Sequence, residues 1–138
     1  MKTKGYLSGT FDLFHIGHLN ILKKAKEKCD YLIVGVHESG AWKGKDTFIQ
    51  FEERLEIVSA IKYVDLVVKS YQNDTDAINH HSIKKLFVGD DYKGSGRFKL
   101  YEKICNESNV EIIYFPYTKT TSSSLINSTL DSLRKESI

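Results

Sequence analysis

Two histidines three residues apart, His15 and His18, follow the run Gly9-Thr10-Phe11-Asp12 and flank Gly17. On the first turn of a helix that spacing puts both rings on one face. Gly9 and Thr10 offer backbone N–H groups that a phosphate can approach with no bulky side chain in the way. Two imidazoles beside the positive end of a helix make a site for a triphosphate. When a nucleophile attacks an α-phosphorus, charge builds on the equatorial oxygens. Donors already aimed there stabilise that state more than the ground state. Positioning and charge neutralisation then suffice, with no covalent intermediate. Two plainer readings fit the same residues. They are surface histidines at a helix start, or a metal set of Asp12, His15 and His18. The metal set lacks the i, i+4 histidine pair and the accompanying Glu of a zinc helix.

Short apolar runs alternating with amphipathic stretches must position this segment. Residues 5–8 read as a first strand, and Leu19, Ile21, Leu22 and Ala25 recur at helical spacing over 17–28. Residues 31–36 form a near-continuous apolar run, as in a strand covered on both faces. A polar loop over 38–50 precedes a helix over 51–61, with Leu55, Val58 and Ile61 on one face and Glu52 and Glu53 at its start. A third strand is expected over 64–68, a helix capped by Asp74 to about residue 83, and a fourth strand over 86–89. A helix over 98–107, a strand over 110–115 ended by Pro116, and a closing helix over 122–135 complete the pattern. The fold class is α/β: one Rossmann-like open sheet, mostly parallel, five strands with helices on both faces. The whole of 1–138 reads as a single domain. Ligands of such sheets sit at the carboxyl ends of strands, so the loops starting at Ser8, His37, Gly89 and Pro116 should share one rim.

Composition bounds the reading. With 20 Lys and Arg against 18 Asp and Glu, the net charge of +2 lacks the basic excess of a nucleic-acid binder, so no nucleic-acid partner is expected. The two cysteines, Cys29 and Cys105, form no C-x-x-C pair, and structural zinc has no support. No long apolar stretch reads as a signal peptide or membrane span, so no membrane partner and a cytoplasmic location are expected.

The segment from Gly9 to His18 resembles the H-x-G-H signature of the nucleotidyltransferase superfamily, in the form typical of cytidylyltransferases. It is most similar to the bacterial glycerol-3-phosphate cytidylyltransferases, along nearly the whole chain. Supporting segments are 30–34, 63–65 and 88–94. The resemblance implies transfer of CMP from CTP to glycerol 3-phosphate, releasing pyrophosphate. Carried onto this chain, it implies that His15 and His18 contact the triphosphate and stabilise the transition state. Gly9, Thr10, Phe11 and Asp12 would shape the nucleotide pocket, and Asp90 would line its base and ribose end. Lys43 and Lys45 would bind phosphate oxygens of both substrates, as catalytic and substrate-binding residues, and Arg54 would help orient the phosphorylated alcohol. No metal ligand is assigned on the protein, and Mg²⁺ is expected to arrive with CTP. Relatives of this kind are commonly homodimers, and Phe48, Ile49 and Phe51 fit either a partner surface or the core.

The physics agrees in part. The nucleophile would be an anionic phosphate needing no general base, so the enzyme must chiefly bring two polyanions together with Lys, Arg and Mg²⁺. Two departures from the family pattern stand out. Lys62, also expected to bind substrate, replaces an Arg and loses the bidentate fork. Tyr117 and Thr120 replace the Arg and Gly of the motif before the last helix. Ser122 and Ser123 still offer donors to the β- and γ-phosphates at that helix start. Alternatives kept open are an adenylyltransferase using ATP, another acceptor (a polyol phosphate, phosphocholine or phosphoethanolamine), a non-catalytic nucleotide-binding module, and a metal-dependent phosphohydrolase.

Overall fold

A computed structural model describes residues 2–38, 47–89, 94–116, 129–130 and 132–133. The expectations for Lys43, Lys45, Asp90, Tyr117, Thr120, Ser122 and Ser123, and for most of the closing helix, lie outside these residues.

Nine elements alternate along the described chain: β1 (Lys4–Gly9), α1 (Ile16–Glu27), β2 (Tyr31–Val36), α2 (Phe51–Ser59), β3 (Leu66–Lys69), α3 (Asp76–His81), β4 (Lys85–Gly89), α4 (Gly96–Glu107) and β5 (Glu111–Phe115). The sheet order is β3-β2-β1-β4-β5, and every pairing is parallel. Strand order reverses between β1 and β4. Loops leaving these two strands therefore diverge and open a crevice at their carboxyl ends.

Period-two alternation assigns each strand residue to one of two cores. Tyr6, Ile33, Leu86 and Val88 pack with Ala77 of α3 and with Phe98, Tyr101 and Cys105 of α4. Leu7, Leu32, Val34, Val36, Phe87 and Phe115 pack on the other face with Leu22 and Ala25 of α1 and Val58 of α2. Both faces of β2 are covered, which is why its sequence is apolar throughout. Phe48 and Ile49 are half-buried, and Phe51 packs against the second core.

Two local expectations need correction. The third strand begins at Leu66 rather than Val64, because Tyr63 and Val64 pack beneath α2 while pairing with β2 starts at Leu66 opposite Ile33. Asp74 does not cap α3. That helix starts after Thr75, and the Asp74 carboxylate instead accepts a hydrogen bond from the Ser8 hydroxyl at 2.6 Å.

Candidate active site

The turn between β1 and α1 places His15 at the N-cap of α1, with φ −141° and ψ −178°. Its Nδ1 accepts the backbone N–H of Gly17 at 3.0 Å, and Nδ1 of His18 accepts the backbone N–H of His15 at 3.3 Å. The two imidazoles thus form a reciprocal capping box, a role usually filled by Ser or Thr with Glu or Gln. A backbone N–H can only donate, so each Nδ1 must carry a lone pair and the proton of each neutral ring sits on Nε2. The helix cap therefore selects the tautomer. Both rings keep an Nε2–H donor away from the helix backbone, and they stack with centroids 3.9 Å apart. Phe11 and Phe14 wall the His18 ring, each with its centroid 5.3 Å away. Burial holds the His15 pKa below the usual imidazole value, which favours the neutral form the cap requires.

This turn is strained. Phe11 and Leu13 adopt φ of 55° and 50°, a left-handed backbone that costs about 1–3 kcal/mol for each non-glycine residue. Between them Asp12 is 4% exposed, and its carboxylate accepts the backbone N–H groups of Phe48 (2.9 Å) and Ile49 (2.9 Å). A Cβ at Gly9 would lie 2.9 Å from the Phe11 ring, so only glycine lets that ring close over the strand end. Thr10 Oγ1 is buried and has no hydrogen-bond partner among the described residues.

Arg54 departs from its expected role. It is fully buried, with its donors turned onto backbone carbonyls: Nε to Ile49 (2.9 Å), Nη1 to Thr10 (2.8 Å) and His37 (2.6 Å), and Nη2 to Glu38 (2.7 Å). Its guanidinium is thus turned onto backbone rather than carried as a solvated helix charge. Helical spacing explains this, since Arg54 and Val58, four residues apart, share the buried face of α2. Burial lowers its pKa, while the nearby charges of Asp12 and Glu52 raise it.

Lys62 is also relocated. α2 starts at the carboxyl rim and runs back across the sheet, so the turn after it lies at the amino ends of the strands. There the N–H of Asp65 bonds the carbonyl of Leu32 near the start of β2, and Lys62 lies exposed over the Tyr63 ring at 5.2 Å. Within one chain Lys62 stands at the edge opposite His15 and His18. The structure thus gathers Gly9, Thr10, Phe11, Asp12, His15 and His18 at one rim, places Arg54 behind them, and leaves Lys62 apart.

A polar network at the same rim escaped the sequence reading. The Ser8 hydroxyl donates to Asp74, whose backbone N–H donates to Tyr101 Oη at 3.1 Å. Arg97 Nε–H donates to the same oxygen at 3.0 Å. Burial raises the Asp74 pKa, against the opposing influences of the Ser8 bond and the Arg97 charge. Next to it, the His37 ring nitrogen Nδ1 and Ser70 Oγ lie 2.7 Å apart. Asp74 reads locally as a helix cap because Asp is common there, and only the crossover from β3 to β4 carries it to Ser8.

An all-parallel sheet with its order reversing at β1 and β4, and a strained glycine-led turn leading to paired imidazoles at a helix start, define a Rossmann-like α/β domain. The Cytidylyltransferase-like family model matches residues 6–130, and the chain belongs to that family. It is 36% identical over 129 residues to the glycerol-3-phosphate cytidylyltransferase of Bacillus spizizenii, covering 91% of this chain and 95% of that protein. It is 40% identical over 91 residues to the ethanolamine-phosphate cytidylyltransferase of Mus musculus, covering 62% of this chain and 22% of that protein. A lipopolysaccharide core biosynthesis protein from Thermoplasma volcanium shares the fold, with TM-score 0.70 at 22% identity over 88% of this chain and all of that one.

Proposed function

We propose that this protein transfers CMP from CTP to glycerol 3-phosphate, giving CDP-glycerol and pyrophosphate. The observation that carries the reading is the imidazole capping box, which holds two Nε2–H donors at the rim in a chain similar to named cytidylyltransferases. A phosphate oxygen of the acceptor attacks the α-phosphorus of CTP. The new P–O bond forms as the bond to the α,β-bridging oxygen breaks, and the electron pair leaves with pyrophosphate. His15 and His18 donate Nε2–H bonds to oxygens whose charge grows in that transition state. No base takes part, since the attacking phosphate is already anionic.

Lys43 and Lys45 neutralise phosphate oxygens of both substrates in this reading, and Asp90, Ser122 and Ser123 complete the nucleotide pocket. Mg²⁺ enters as part of the substrate, bound to triphosphate oxygens. Among the described residues no group of three or more His, Cys, Asp or Glu is disposed to hold a metal, and the Asp12 carboxylate is engaged by two backbone N–H groups. We place the reaction in the cytoplasm and assign a homodimer. No helix of the described residues is long and apolar enough to cross a membrane. Similarity to the ethanolamine-phosphate enzyme makes phosphoethanolamine the second acceptor to test.

Pyrophosphate release is the assay, with CTP or ATP crossed against glycerol 3-phosphate, phosphoethanolamine and phosphocholine in the presence of Mg²⁺. Turnover with CTP and glycerol 3-phosphate is expected. Release confined to ATP, or CTP binding without turnover, would overturn the reading. As a second check, Lys43→Ala and Lys45→Ala should each raise KM for both substrates.

A further inference from the structure

Arg54 and Asp12 form a reciprocal tie between two segments distant in sequence. Asp12, in the β1–α1 turn, accepts the N–H groups of Phe48 and Ile49 ahead of α2. Arg54, inside α2, donates back to Thr10 in that turn and to Ile49 itself. Ile49 thus bonds both partners, by its N–H to Asp12 and by its carbonyl to Arg54. The same guanidinium holds His37 and Glu38 at the end of β2. Its contacts fall on both sequence flanks of 39–46, the segment that contains Lys43 and Lys45.

We infer that Arg54 is a positioning residue, which fixes the β1–α1 turn so that His15 and His18 present Nε2–H to the reacting phosphate, and that it does not itself bind substrate. Four of its five N–H donors already go to carbonyls, and the side chain has no exposed surface. The turn it grips carries two strained residues, Phe11 and Leu13, both in left-handed backbone. A planar fork reaching three segments at once is what only Arg provides. Lys keeps the charge but concentrates its donors on one nitrogen at the end of a flexible stem. The tie thus links the strained turn to the cap, and the cap sets the tautomer of both rings.

The inference rests on the CMP-transfer reading for its kinetic part and on geometry alone for its spectroscopic part. The test compares full-length wild type with Arg54→Lys. It measures kcat, KM for CTP and for glycerol 3-phosphate separately, and ring ¹⁵N spectra of His15 and His18 assigned through single-histidine variants. A displacement of about an ångström at the reacting groups lowers turnover by about 100-fold. Arg54→Lys should therefore lower kcat by about that factor, with KM changes shared by both substrates and with the Nε2–H signature of His15 broadened into a tautomer mixture. A defect confined to the KM for glycerol 3-phosphate, with unchanged ring spectra, would instead make Arg54 an acceptor ligand and overturn the inference. Kinetics within threefold of wild type would overturn it as well.

Far-UV circular dichroism checks that the variant is folded. If Arg54→Lys does not fold, Asp12→Asn tests the same tie from the other side, since the amide keeps one of the two acceptors. It should show a milder form of the same pattern, and an unchanged kcat and tautomer signature would sink the inference. Absence of pyrophosphate release by wild type would remove the proposed reaction but leave the ring spectra as a test of positioning.

Discussion

The capping role of His15 and its proposed role as donor to the substrate can be separated by one substitution. Asn places an acceptor oxygen close to where Nδ1 sits and ranks among the best N-cap residues, so His15→Asn should keep the Gly17 N–H satisfied. It has no counterpart to Nε2–H. Loss of one preorganised donor to a developing oxyanion costs about 2.7–4 kcal/mol, so kcat should fall by about 10²–10³. His15→Ala removes donor and cap together. It should lose the same turnover and, in addition, about 1 kcal/mol of stability. With an m-value of about 1.5 kcal/mol/M, that loss lowers the urea midpoint by about 0.7 M. The assays are pyrophosphate release at saturating CTP and glycerol 3-phosphate, and urea unfolding followed by circular dichroism. If His15→Asn is as destabilised as His15→Ala, the capping account fails. If His15→Asn keeps turnover within tenfold of wild type, the Nε2–H donor is not what accelerates transfer.

Three further outcomes follow from the same geometry. Burial lowers the folded-state pKa of His15, so the unfolded chain binds more protons just below its ordinary value of about 6.5. The stability this group contributes is complete above that pH and is lost as pH falls through the lowered value. The urea midpoint of wild type should therefore drop more steeply from pH 7.5 to 5.5 than that of His15→Asn, and parallel slopes would refute the assignment. Asp74 has the opposite sign, because burial raises its pKa and the stability it contributes is lost as pH rises from about 4. Asp74→Asn, which still accepts from Ser8, should match or exceed wild-type stability at pH 8, with the difference closing in acid; a clear loss at pH 8 would contradict this. Gly35→Ala should cost about 2 kcal/mol by chemical denaturation, because its Cβ would overlap Tyr6 Oη and lie 3.2 Å from the Ser70 backbone. A neutral result would mean that β2 and β3 separate more easily than the packing implies.

Local pattern was enough for much of this protein. Apolar runs and helical spacing marked the strands and helices to within a residue or two, because period-two and 3.6-residue repeats reflect which faces are buried. The β1–α1 turn was legible because Gly9, Gly17 and two spaced histidines leave few other local solutions. Boundaries were less legible where a partner decides them, as at β3, whose pairing with β2 begins at Leu66 opposite Ile33. The apolar face Leu55, Val58, Ile61 was visible in the sequence pattern, yet nothing local showed that Arg54 beside it would turn inward onto backbone carbonyls.

Chemistry was therefore a property of the sequence, and the assignment of roles a property of the fold. Residue types and spacing within ten positions sufficed to mark the glycine-led turn and the histidines at the helix start, since neighbours in sequence build it. Tertiary structure alone decided that Arg54 grips backbone, that Asp12 ties the turn to the chain before α2, that Ser8 meets Asp74, and that Lys62 lies at the opposite edge of the sheet. The physical reason is the parallel crossover. It returns each helix to the amino ends of the strands and brings loops distant in sequence together at the carboxyl ends, where no local spacing records which residues will meet.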